Sequence, residues 1–123
     1  MLLENNFEGF QALYREVGKY YHKRHCSIYD CQDFNNGDHC FVRFLVDRFY
    51  VVQYSFRQDR GILLSGLGLA IGPHFFGPAD FWSYDHMRRF SLEASTEAIW
   101  KNLELLDEYF KSRITGRHFN EPS

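Results

Sequence analysis

Six side chains that could bind a metal ion lie between positions 22 and 40. A structural zinc ion needs four such donors that converge tetrahedrally. The spacing does not favour this, because Cys26 and Cys31 are farther apart than the cysteines of a zinc knuckle, and Cys40 opens a hydrophobic run in which a free cysteine behaves as a small apolar residue. We therefore predict separate surface histidines and core thiols rather than a metal site. The six residues are His22, His25, Cys26, Cys31, His39 and Cys40.

Two histidine–cysteine neighbours, His25–Cys26 and His39–Cys40, contain the residue types of a nucleophilic dyad. Neighbours along a strand point to opposite faces, so their adjacency argues against a dyad. The sequence also contains no G-x-S-x-G elbow, no P-loop and no H-E-x-x-H, and GLGLAIG lacks the glycine spacing of a dinucleotide-binding loop. We predict that neither pair is catalytic.

Acid–base catalysis would require Asp80 and Asp85 to converge with His74 or His86. Such residues more often cap helices or sit in turns. The sequence therefore predicts a protein with no catalytic residues and no cofactor. The alternative is a small-molecule-binding or enzymatic α+β domain with a pocket beside residues 72–84.

The segment GPHFFGPADFWSY, residues 72–84, differs sharply in composition from the rest of the chain. Its two glycines and two prolines interrupt both helical and strand periodicity, which is typical of a loop. Its five aromatic residues either plug the end of the core or face a partner, since these are the residue types that anchor protein interfaces. The predicted partner-binding residues are His74, Phe75, Phe76, Asp80, Phe81, Trp82, Tyr84 and Asp85.

The composition predicts one globular domain, because 123 residues that are 45% hydrophobic and 19% aromatic suffice for a single core. The net charge of -2 provides no global field for nucleic acid or an anionic membrane. No apolar run approaches the ~20 residues of a membrane span, and no signal peptide opens the sequence, so we expect a cytoplasmic protein. Three cysteines, an odd number, favour reduced thiols.

Alternating apolar and polar residues between Cys40 and Gly72 predict two consecutive β-hairpins, each strand having one buried face. Residues 58–61 suit a type I turn closed by a left-handed glycine. Gly66 and Gly68 leave one face of their strand without side chains, and we expect a helix to pack over them. Residues 27–34 fit a short edge strand. The buried face is predicted to hold Val42, Phe44, Val46, Tyr50, Val52, Tyr54 and Phe56.

The first helix is predicted for residues 6–21, with Asn6 as its N-cap. The basic residues 22–25 suit the negative pole at its C-terminal end. Its apolar stripe is predicted to be Phe10, Tyr14, Val17 and Tyr21. Its solvent face is predicted to be Glu8, Gln11, Arg15, Glu16 and Lys19.

Two helices follow the sheet. Ser83 can cap a short helix over residues 84–90, and the longest helix is predicted from Ser95 to Arg113, before a polar tail, 115–123, that we expect to fray. The fold class is therefore α+β, an antiparallel sheet of three to four strands with an N-terminal helix and a long C-terminal helix packed on it. The buried stripe of the last helix is predicted to be Ile99, Leu103, Leu106 and Phe110.

Four of these features together resemble a known family. They are an amphipathic first helix, a strand-turn-strand pair with an R-x-D-R-G type reversal, S-Y-D-x-x-R-R-F after the sheet, and a closing helix that ends L-L-D-E-Y-F. From Phe7 to Phe110 they resemble the small cytosolic immunity proteins of bacterial toxin–immunity gene pairs. The resemblance implies a protein without catalysis of its own that binds one cognate toxin. The chain departs from the pattern in not being strongly acidic, as an inhibitor of a basic nuclease toxin usually is, which leaves the toxin's chemistry open.

The mechanism that these features favour is occlusion of the toxin by a preformed surface. A standard interface buries about 800 Å² per partner, which one loop and one sheet edge of a small domain can supply. A purely structural homo-oligomer is a further alternative, and a homodimer is compatible with the same surface.

Overall fold

A computed structural model of the chain describes residues 6–22, 26–33, 39–46, 50–71, 74–77 and 82–120. Of these, residues 6, 7, 26, 29, 50, 71, 74, 75 and 112–120 are described by their backbone alone. Within the described ranges no helix is long and apolar enough to cross a membrane. The helices are α1 (Asn6–Tyr20), α2 (Tyr84–Arg89) and α3 (Thr96–Asn120). The strands are β1 (Cys26–Gln32), β2 (His39–Val46), β3 (Tyr50–Asp59), β4 (Ile62–Ile71) and β5 (His74–Phe76).

The strands form one antiparallel sheet in the order β1-β2-β3-β4-β5, so the α+β prediction is confirmed. The sheet has five strands where three to four were predicted. The additional strand, β5, lies within the segment predicted to be a loop and pairs with the end of β4, Leu69 opposite Phe76. A strand of three residues is too short to show a two-residue period, which is why the sequence did not reveal it.

The predicted buried face of the central strands is confirmed at six of its seven residues, and the side chain of the seventh, Tyr50, lies outside the described part of the chain. Val42 lies opposite Tyr54, and Phe44 lies opposite Val52, and all four side chains are fully buried. Directly opposed residues in an antiparallel pair point to the same face, so this register places the large apolar side chains of β2 and β3 together under the helices.

The turn between β3 and β4 has a different type from the one predicted. Asp59 pairs with Ile62, so the loop consists of Arg60 and Gly61, and both have positive φ angles, 52° and 81°. Positive φ at both loop residues is the mark of a type I′ turn, whose twist matches that of the paired strands. The left-handed glycine was predicted correctly, whereas the type I turn was wrong.

Helix α1 buries part of the predicted stripe. Val17 and Tyr21 are buried as predicted. Tyr14 is 48% exposed, whereas Leu13, outside the predicted stripe, is fully buried. Glu16, predicted to face solvent, is 8% exposed, and its Oε2 accepts a hydrogen bond from Trp100 Nε1 over 3.3 Å. The helix packs against α3 as well as the sheet, so it buries a wider face than a single stripe.

Helix α3 packs on the sheet as predicted, and its four predicted stripe residues are buried. Ser95 caps it, since its Oγ accepts a hydrogen bond from Ala98 N over 3.0 Å. The backbone continues as helix through Asn120, beyond the predicted end at Arg113 and into the tail that was expected to fray.

The glycines of β4 do not lie beneath a helix. Leu67 is opposite Tyr54, on the face that α3 covers, so Gly66 and Gly68 lie on the other face. The expectation that a helix packs over them was wrong. The close neighbour is instead on the adjacent strand, because a Cβ placed on Gly66 would stand 2.8 Å from Ser55 Oγ.

Candidate functional site

The structure separates the eight residues predicted to bind a partner. Tyr84 and Asp85 are exposed, Phe76 is half-buried and Trp82 is buried. The backbone of His74 and Phe75 forms part of β5, and their side chains lie outside the description. Asp80 and Phe81 fall outside the described residues. The assignment of this set to a partner surface remains a prediction, as does the alternative pocket beside residues 72–84.

Trp82 belongs to the core and does not offer an exposed ring. Its side chain is 5% exposed. The indole lies nearly parallel to the His86 ring, with centroids 6.3 Å apart, and 5.7 Å from the ring of Phe90. Burial of a large apolar ring is strongly favourable. Here His86 and Phe90, which follow Trp82 in the chain, cover the indole. The expectation that Trp82 faces outward was therefore wrong.

Helix α2 presents the exposed part of the predicted surface. Ser83 caps it as predicted, because its Oγ accepts a hydrogen bond from His86 N over 3.3 Å. None of the six α2 side chains, all of which the structure describes, is buried. Tyr84 is 84% exposed and Met87 is 40% exposed. Residues three apart in a helix share a face, so the phenol and the thioether form one exposed patch.

One ion pair joins α2 to α3, and another lies within α2. Arg89 donates two hydrogen bonds to Glu108 of α3, at 2.7 and 3.3 Å. The hydrogen bond from Arg89 lowers the pKa of the Glu108 carboxyl, so the pair stays ionised at neutral pH. Within α2, Arg88 donates to Asp85 over 2.9 Å. The helix is thus fixed to α3 on one side through Arg89, while Tyr84 and Met87 face outward.

His39 and Cys40 do not form a catalytic pair. Cys40 is fully buried, and burial raises the pKa of its thiol to about 12. His39 lies on the other face of β2, where burial and the charges of Arg57 and Arg43 lower its pKa. The strand geometry predicted this separation. The side chains of His25 and Cys26 lie outside the described part of the chain, so the prediction for that pair is untested.

Groups that could bind a metal ion or exchange protons are dispersed. Among the residues that the structure describes, no three His, Cys, Asp or Glu side chains lie close enough to hold a metal. Asp85 is paired with Arg88, and His86 Nδ1 lies 2.8 Å from Ser83 Oγ. These contacts give Asp85 and His86 a structural role at the start of α2.

A buried polar network that sequence reasoning missed joins α3 to the sheet. Asn102 donates from its side-chain amide to Tyr54 Oη and to the Ser91 carbonyl, over 2.9 and 2.8 Å. Its Oδ1 accepts from Ser91 N over 2.8 Å. Burial raises the pKa of Tyr54 to about 12, so the phenol stays neutral. In the sequence, this network is indicated by Asn102, an asparagine three residues after Ile99 on the helix face otherwise occupied by apolar residues.

Both amide hydrogens and the oxygen of Asn102 have hydrogen-bond partners, so this network stabilises the fold and offers no reactive group. Its role is to position the segment that precedes α3, where Leu92 O accepts a hydrogen bond from Ser65 N over 2.8 Å.

The resemblance to immunity proteins remains a prediction. Two of its motifs coincide with structural units, since S-Y-D-x-x-R-R-F spans the N-cap, body and C-cap of α2, and L-L-D-E-Y-F lies on α3. In comparisons with protein-family models, curated proteins and solved structures, nothing matches this chain.

Proposed function

We propose that this protein is a non-catalytic binding protein that docks on a partner protein through one surface of α2. We call this the α2 surface and define it by Tyr84, Asp85, Met87 and Arg88. We further propose that the partner is a cognate toxin, which the protein neutralises by covering a site that the toxin needs.

The observation that carries the proposal is the exposure of Tyr84. A tyrosine that is 84% exposed makes little contribution to the core, yet its ring can bury a large area against a partner. Tyrosine is enriched among the residues that contribute most to interface affinity. Met87, on the same face, supplies an adaptable apolar neighbour. Asp85 and Arg88 supply a charged rim.

The attachment of α2 supports this role. The Arg89–Glu108 pair joins the helix to α3, and Trp82, just before the helix, is buried in the core, so α2 is positioned before any partner binds. A surface that is already ordered loses less conformational entropy on association, so more of the contact energy appears as affinity. The motif that carries the resemblance to immunity proteins is the sequence of this same helix and its caps.

The first experiment tests the toxin. The reading frame adjacent to the gene should encode a protein that arrests growth when expressed alone and not when co-expressed with this chain. Growth arrest without rescue, or an adjacent product with no effect on growth, would contradict the toxin assignment.

The second experiment tests the α2 surface with the purified pair. Tyr84→Ala should weaken binding about tenfold or more with an unchanged melting temperature. Ile62→Ala, a change at a hydrophobic residue that is 62% exposed on β4, is the matched control and should bind like the wild type. Equal affinity of Tyr84→Ala and wild type would show that the toxin binds elsewhere.

A further inference from the structure

An open groove of about 450 Å³ lies along α1, outside the α2 surface. We call it the α1 groove and define it by Tyr14, Arg15, Gly18, Lys19 and His22. Clefts that hold small molecules typically have volumes of about 300–1,000 Å³. The groove is largely open to solvent, so a small ligand would lie in it partly exposed.

Three of the five described lining residues of the α1 groove are basic, and much of the surface that they expose is apolar. Arg15 and Lys19 are spaced i and i+4, so their side chains follow one another along one face of α1, and His22 lies just beyond the last residue of the helix. No acidic residue is among the lining residues that the structure describes. Glu16, the acid next to Arg15, turns towards the core, and its Oε1 lies 3.9 Å from Arg15 Nε, a long ion pair that leaves the Arg15 side chain 53% exposed.

Gly18 forms part of the lining, and the fold does not require a glycine there. A Cβ at this position would lie 4.0 Å from Ile28 Cδ1, an ordinary contact, and Gly18 is not among the described residues with positive φ. Glycine in a helix is less stable than alanine. The missing side chain does have one effect, which is to deepen the groove between Tyr14 and the basic residues.

We propose that the α1 groove binds a phosphorylated small molecule that carries a ring, with the phosphate between Arg15 and Lys19 and the ring against Tyr14. A guanidinium fork and an ammonium group are the usual protein partners of phosphate. Lys19 lies in the last turn of α1, where the carbonyl groups carry partial negative charge, so the two cationic side chains must attract the phosphate more strongly than the helix end repels it. Tyr14 is 48% exposed and offers an aromatic face beside the two cations.

The test is a titration followed by backbone amide NMR shifts, with inorganic phosphate and phenyl phosphate as probes. We expect both probes to shift the amides of Arg15, Gly18 and Lys19, and phenyl phosphate to bind about tenfold more tightly than phosphate. Tyr14→Ala should remove this difference. If phosphate leaves these amides unshifted, or if phenyl phosphate binds no more tightly than phosphate, the proposal is wrong.

Three variants distinguish a specific binding site from general attraction of anions to a basic surface. Arg15→Gln with Lys19→Gln should weaken phenyl phosphate binding about tenfold or more. Lys101→Gln with Lys111→Gln, which removes the same charge from exposed positions of α3, should change it less than about twofold. Equal losses in the two double variants would identify an ordinary solvated helix face. Gly18→Leu should fill the groove and abolish binding in a folded protein, which its NMR spectrum verifies, and unchanged binding would contradict the proposal.

Discussion

The side-chain amide of Asn102 on α3 donates a hydrogen bond to the hydroxyl of Tyr54 on β3, over 2.9 Å, and both side chains are fully buried. The hydroxyl donates onward to Ser65 Oγ over 2.9 Å, and Ser65 Oγ donates to the Glu93 carbonyl over 2.7 Å. This chain of donors connects the long helix, two strands and the segment before the helix. In a buried environment such bonds strengthen one another, so they should act as a unit.

Tyr54→Phe should lower the free energy of unfolding by about 1–3 kcal/mol, because it leaves an amide hydrogen of Asn102 without an acceptor. Asn102→Ala should lower it at least as much. In urea denaturation the double variant should be less destabilised than the sum of the two, with a coupling of about 0.5–3 kcal/mol. Tyr84→Phe, which removes an exposed hydroxyl, is the control and should have no measurable effect. Additive losses would mean that the two residues act independently.

Trp82 and Tyr84 should respond differently to the same substitution. Trp82→Ala removes a ring that is 5% exposed and should lower the free energy of unfolding by about 3–5 kcal/mol. Tyr84→Ala should change it by less than about 0.5 kcal/mol. Thermal and urea denaturation of the two variants measure the difference. A Trp82→Ala protein as stable as wild type would contradict the burial of the indole.

The thiols of Cys31 and Cys40 should differ in reactivity. Cys31 is exposed, whereas Cys40 is fully buried and burial raises its pKa to about 12. The thiolate is the reactive form, so Cys40 should resist modification at pH 8. In a Cys26→Ser variant, one equivalent of an aromatic disulfide reagent should react at once, and the second only when urea unfolds the protein. Rapid reaction of both thiols in the folded state would contradict this assignment.

His39 should make stability depend on pH. Burial and the charges of Arg57 and Arg43 lower its pKa in the folded protein, so the unfolded chain binds a proton at a higher pH than the folded one. The stability that neutral His39 contributes is therefore fully present above about pH 6.5, where an unfolded histidine is neutral. It is lost as the pH falls below that value towards the folded pKa. His39→Gln should lose less stability than wild type between pH 7.5 and 5.5 in urea denaturation. Parallel pH profiles would contradict the shift.

Local periodicity was sufficient for much of the fold. The two-residue alternation in β2 and β3 and the stripe from Ile99 to Phe110 in α3 identified the buried faces, because one side of each of these stretches packs on the core. Ser83 was identified as a cap because its hydrogen bond joins residues only three apart. The positive φ angle of Arg60 was not predicted, because the type of a hairpin turn depends on the register of the strands that it connects.

The sequence by itself determined the fold class, the buried strand faces and the types of side chain present in residues 72–84. Only the tertiary structure decided which of those groups face solvent. Trp82 and Tyr84 are two positions apart in a stretch without periodicity, and one is in the core while the other is exposed. Glu16 is buried at a position where it accepts a hydrogen bond from Trp100, 84 positions later in the chain. Such outcomes depend on elements that meet only after folding, and no local pattern of residues records them.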